Sequence, residues 1–164
     1  PSTSFLELKL TGMQGDVMKE SMNVAKTLAW NMLPASLAKS LPKDMKNCGI
    51  HVHVPEGSTP KDGPSAGTAI AIAMYSLFTD QHIPNDIAIT GEICLQGRVT
   101  AIGGLDLKIL GGISAGVKTF LFPTENAKEF KDFMDKYGEK EIVKGIKFVQ
   151  VATIQDVIPH IFHS

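Results

Sequence analysis

Apolar and polar residues alternate over 5–10, placing Leu6, Leu8 and Leu10 on one face and Glu7 and Lys9 on the other, the period of a half-buried strand. The period then lengthens. Val17, Met18, Val24, Ala25, Leu28 and Met32 recur at helical spacing over 16–32, with Asp16 and Glu20 near the N-terminal end, where the helix dipole favours carboxylates. Pro34 and Pro42 break up the next stretch, which reads as a connector with no predicted element. Strict alternation returns over 49–54: Ile50, Val52 and Val54 share one face, His51 and His53 the other.

A polar loop over 55–64 precedes residues 65–78, which are apolar on nearly every side and rich in small side chains. Ala66, Gly67, Ala69, Ala71 and Ala73 predict a buried helix packed closely against its neighbours. Residues 86–90 and 92–100 predict short strands with glycine turns at Gly91 and Gly97, so the middle of the chain reads as hairpins. Gly103 and Gly104 open a helix over 105–114. A strand over 118–122, a charged amphipathic helix over 126–137, a strand over 147–151 and a helix over 154–162 complete the pattern. The sum is a mixed α+β domain of short strands, hairpins and packed helices spanning 1–164 as one unit.

Composition narrows the field of functions. The 164 residues are 43% apolar, enough for one domain with a substantial core. Sixteen basic and seventeen acidic residues give a net charge of -1 with no long run of either sign, so nothing points to nucleic acid or an anionic membrane. No apolar run reaches the roughly 18 residues of a membrane span. Cys48 and Cys94 are far apart in sequence and are expected to be reduced, buried thiols in a reducing compartment. The chain does not begin with Met, which leads us to expect a piece of a longer protein.

Candidate chemistry concentrates on Pro60-Lys-Asp-Gly-Pro-Ser-Ala-Gly67, which puts the hydroxyl of Ser65 at the start of the predicted buried helix. Amides left unpaired in a first helical turn are suited to hold an oxyanion beside it. A serine hydroxyl needs a base, and several are possible. Residues 63–67 match Gly-x-Ser-x-Gly, but the polar loop before Gly63 is not the strand a nucleophile elbow requires, and residues 112–116 match only ahead of a strand. Ser36 with Lys39 and Ser40 with Lys43 match Ser-x-x-Lys without the companion motifs Ser-Asp-Asn or Lys-Thr-Gly. Lys108 lies in an apolar stretch, Gly103-Gly-Leu-Asp-Leu-Lys-Ile-Leu-Gly-Gly112, where burial is expected to favour its neutral, basic form. Taken singly, each residue has a plainer reading: Ser65 as a helix cap and Lys108 as a snorkelling surface lysine. His51 and His53 share a strand face and could bind one ion, but no third ligand stands at a suitable spacing, so no metal is expected.

Taken together, Gly15-Asp-Val-Met-Lys-Glu-Ser21, His51-Val-His-Val-Pro-Glu-Gly57, the Ser65 box, Thr90-Gly-Glu92, Gly97-Arg-Val99 and Ile102-Gly-Gly-Leu105 resemble, in order and spacing, the proteolytic domain of Lon-type serine proteases over about residues 10–160. The resemblance implies Ser65 as nucleophile, Lys108 as general base 43 residues on, Thr90 orienting the lysine and Asp62 at the rim of the site. It departs at Leu105-Asp-Leu-Lys108, where many relatives carry a Lys-Glu pair between the leucine and the lysine. It also implies a chain fused to an upstream AAA+ motor that uses ATP and Mg, a homohexameric ring, unfolded or damaged proteins as substrates, and the cytoplasm or the mitochondrial matrix as location. This stretch itself has no Gly-x-x-x-x-Gly-Lys-Ser/Thr phosphate loop, and no cofactor is expected within it. The alternatives are a catalytically silent assembly or binding module and a stand-alone protease without a motor.

Overall fold

A computed structural model describes residues 6–12, 15–45, 48–55 and 63–163. Strand β1 (Glu7–Gly12) leads to helix α1 (Asp16–Asn31), helix α2 (Ala35–Asp44) and strand β2 (Gly49–Val54), which returns parallel to β1 with Lys9 opposite His51 and Thr11 opposite His53. A 3-10 turn at Pro64–Ala66 runs into helix α3 (Gly67–Thr79), followed by β3 (Ile87–Ile89), β4 (Glu92–Ile93), β5 (Val99–Thr100) and helix α4 (Leu105–Ser114). Then come β6 (Thr119–Pro123), helix α5 (Ala127–Tyr137), β7 (Lys147–Val151) and helix α6 (Ile154–Ile161).

The central strand is β6, flanked by β3 and β7 in a parallel sheet. It is buried on both faces, as parallel sheets covered by helices are. Its alternation feeds two apolar clusters. Leu121 joins the core built on α1 and α3, while Phe120 and Phe122 join a second core with Ile102, Leu105, Ile109 and Phe133. Ala25 and Ala29 on α1 and Ala71 on α3 are fully buried, and these small residues let the two helices pack closely. Trp30 meets Phe78 edge to face at 5.7 Å.

The α+β domain expected from the pattern is the fold found, with four local differences. Pro34 is the N-cap of α2 and Pro42 lies near that helix's end, so the supposed connector is helical; proline's fixed φ suits a helix start, and late in a helix its missing N–H costs a single bond. Among the described residues only β4 and β5 form a hairpin, because β3 turns away to pair with β6. Helix α3 is not buried all round: Leu77 and Ala73 face solvent. The cysteines are free, but Cys48 is exposed just ahead of β2 rather than buried.

Candidate active site

Ser65 occupies the middle of the 3-10 turn that starts α3. Gly63 leads in with extended backbone and Pro64 takes the first position, where its fixed φ is pre-set. The turn is pinned by the residue preceding β4: Gly91 N–H donates to the Ser65 carbonyl at 2.9 Å. Gly91's own carbonyl accepts from Thr68 N–H at 3.1 Å and from Thr68 Oγ1 at 2.9 Å. Thr68 is fully buried, so this bond holds the start of α3 without competition from water. Only glycine serves at 91, where φ is +155° and a Cβ would meet Val99 Cγ1 at 2.4 Å.

Lys108 stands one turn into α4. Gly104, in the left-handed region at φ 69° and ψ 39°, caps the helix, and its carbonyl accepts the Lys108 N–H at 3.1 Å. From there the side chain reaches the first turn of the serine helix, and Nζ donates to Ser65 Oγ at 2.8 Å. The contact allows either direction of the proton: an ammonium donates to the hydroxyl oxygen, and a neutral amine accepts the hydroxyl proton. Both residues line a cavity of about 340 Å³ walled by Ala69, Ile89, Leu105 and Phe120. Thr90 lines the same cavity, while its N–H donates to the Leu121 carbonyl at 3.1 Å.

One expectation about the lysine is not met. Lys108 as a residue is exposed, although its surroundings are apolar: α4 buries Leu105 and Ile109, and Lys108 flanks that buried face at the open side of the cavity with its amine on Ser65 Oγ. Asp62 lies outside the described residues. Asp106 is likewise exposed on the first turn of α4. Ser36 and Ser40 sit on exposed positions of α2, and Ser114 ends α4 in solvent.

His51 and His53 share one acceptor and donor: Thr11 Oγ1 lies 2.7 Å from His51 Nε2 and 2.9 Å from His53 Nδ1. Thr11 comes to them through the parallel register of β1, which alternation within β2 cannot reveal. Among the described residues no group of three or more His, Cys, Asp or Glu is placed to hold a metal.

The sequence profile of the Lon protease (S16) C-terminal proteolytic domain matches residues 3–164. The chain belongs to that family. Among its relatives, a Lon protease of Azospirillum brasilense is 41% identical over 150 residues, covering 92% of this chain and 18% of the relative. A Lon protease of Lachnoclostridium phytofermentans is 41% identical over 160 residues, covering 93% and 18%. A mitochondrial Lon protease homologue of Phaeodactylum tricornutum is 46% identical over 132 residues, covering 80% and 15%. The chain thus spans less than a fifth of the length of these curated relatives. Membership of the Lon family makes this a proteolytic domain, and no described helix is long and apolar enough to cross a membrane.

Two sets of contacts at the site escape sequence reasoning. The Gly91–Thr68 clamp joins residues 23 apart, and Glu125 with Asn126 grips the chain just before α4. Asn126 opens the predicted helix over 126–137, where an asparagine suggests a cap. Its side chain makes no cap bond and turns to Ile102 instead.

Proposed function

We propose that the chain is a serine endopeptidase domain working through an acyl-enzyme on Ser65 with Lys108 as general base. The observation that carries this reading is the 2.8 Å contact between Lys108 Nζ and Ser65 Oγ, within the reach a base needs for the proton it takes. In its neutral form Lys108 takes the hydroxyl proton as Ser65 Oγ bonds to the peptide carbonyl carbon. The resulting oxyanion is held by amides of the first turn before α3, which by position lack intrahelical acceptors. The protonated lysine gives its proton to the leaving amine as the C–N bond breaks, leaving an ester on Ser65. Water, deprotonated by Lys108, attacks the ester and frees the acid and the serine. This is the Ser-Lys variant of triad logic.

Thr90 fits as a side chain orienting the lysine and Asp62 as a rim residue. The resemblance to Lon-type proteases extends the proposal to an upstream ATPase module using ATP and Mg, a homohexamer, unfolded or damaged proteins as substrates, and a cytoplasmic or mitochondrial-matrix setting; relatives more than five times as long as this chain leave room for such a module.

The test uses the full-length protein with ATP, on unfolded casein and on a fluorogenic peptide. Ser65→Ala and Lys108→Ala should each stay folded and lose cleavage; for the base we expect kcat to fall about 10²–10⁴-fold. A folded Lys108→Ala enzyme with wild-type kcat sinks the mechanism. An assembled wild type that cleaves neither substrate moves the assignment to a silent binding module.

A further inference from the structure

The two glycines ahead of the lysine helix make no packing contact of their own. A Cβ at Gly103 or at Gly104 would meet nothing within 4 Å, so these two residues are a bare link between β5 and α4. What fixes that link lies across the fold, in the 3-10 turn Thr124–Asn126 ahead of α5. Asn126 is 1% exposed and holds Ile102 by both backbone groups: Oδ1 accepts the Ile102 N–H at 3.0 Å, and Nδ2 donates to the Ile102 carbonyl at 2.9 Å. Nδ2 also donates to Glu129 Oε1 at 2.9 Å, which fixes the orientation of the amide. One residue earlier, Glu125 Oε2 accepts the Ala101 N–H at 2.8 Å. The Ile102 side chain is buried as well, but apolar contact is non-directional, whereas directional bonds to the two peptide groups flanking Ile102 constrain both planes.

We propose that Asn126 is a positioning residue for Lys108. By fixing the peptide groups of Ile102 two residues before the Gly104 cap, it sets the direction in which α4 departs and hence where Lys108 Nζ meets Ser65 Oγ. The inference rests on the Ser65–Lys108 reading of the site. Displacing a catalytic group by about 1 Å costs up to about a hundredfold in rate, so the effect belongs in kcat rather than in substrate binding.

The experiment compares Asn126→Ala with Phe133→Leu in full-length protein with ATP, below the unfolding temperature of both. Phe133→Leu perturbs the same apolar cluster but touches no hydrogen bond to Ile102. Asn126→Ala should lower kcat on a fluorogenic peptide by about ten- to a hundredfold with KM changed less than about threefold, while Phe133→Leu keeps kcat within about threefold. An unchanged kcat in Asn126→Ala, or an equal loss in Phe133→Leu, overturns the proposal. If Asn126→Ala does not fold, Glu125→Ala breaks the exposed half of the same grip and should lower kcat severalfold; an unchanged kcat there overturns it too. Ser65→Ala in the same assay separates the two ideas: cleavage surviving in that variant defeats the Ser65–Lys108 reading of the site, and the positioning role falls with it.

Discussion

Gly67 leaves no room for a methyl group beside the serine turn. It is buried at the start of α3, and an added Cβ would lie 2.7 Å from Ser21 Oγ on α1 and 2.9 Å from Ile93 Cγ1 on β4. Helix propensity favours alanine by up to about 1 kcal/mol. Overpacking costs about 1–3 kcal/mol, and the branched Ile93 stem has little room to give. Gly67→Ala should therefore lower the melting temperature by several degrees, at about 2–4 °C per kcal/mol for a chain of this size. Because Ser65 is two residues away, kcat should fall as well. Thermal unfolding by circular dichroism checks the first point, and a melting temperature at or above wild type refutes it. At this scale the sequence is legible where chemistry repeats a motif and silent where a contact is long-range. Ser65 and Lys108 stand out through the boxes around them. Asn126 carries no such mark, since nothing local tells a capping asparagine from one reaching 24 residues back to Ile102.

Helix α6 begins with a reciprocal capping box. Asp156 N–H donates to Thr153 Oγ1 at 3.4 Å, while Asp156 Oδ2 accepts from Thr153 N–H at 2.9 Å and Ala152 N–H at 3.1 Å. The Thr153 N–H bond is the main cause holding this carboxyl below its usual value, with the Ala152 N–H, the Thr153 hydroxyl and His160 adding to it and desolvation opposing. A carboxyl depressed in the folded state stabilises above its unfolded value, about 3.9, and that increment is lost as pH falls through the folded value. Asp156→Ala should thus cost about 0.3–1 kcal/mol at pH 7, and the gap to wild type should close as pH falls below about 4. Urea unfolding across that range measures it; a gap constant with pH rules out the carboxylate as its source. The box matters to the site because Ile154 N–H donates to the Gly97 carbonyl, and Val99 N–H to Ala152, tying α6 to the β4–β5 hairpin beside Gly67. Periodicity finds nearly every element here because each has an apolar face to bury. It misses α2, where Pro34 and Pro42 look like breaks, and mistakes the partner of β3, because a three-residue strand does not encode which neighbour it joins.

At the scale of the molecule, the serine turn and the lysine helix come from opposite sides of one parallel sheet strand. Leu121 anchors β6 to the α1–α3 core, and Phe120 and Phe122 anchor it to the α4–α5 core, so the elements carrying Ser65 and Lys108 are held by separate clusters that meet at the cleft. The cleft is open: Lys108 is an exposed residue even with its amine on Ser65 Oγ, and its neighbour Leu107, 72% exposed, faces outward. The proposed chemistry needs water kept from the cleft, so covering of the cleft is expected, by substrate or by the upstream module proposed above, this chain spanning under a fifth of its relatives' length. The expected outcome is that this chain alone cleaves a short fluorogenic peptide at least about tenfold more slowly per site than the full-length protein, a modest share of what a general base contributes. A longer peptide that fills the apolar cavity beside Ser65 should narrow the gap. Equal kcat values for the isolated and full-length forms on the short peptide would show that the exposed lysine already suffices, and that the rest of the protein serves delivery of substrate and not the chemistry.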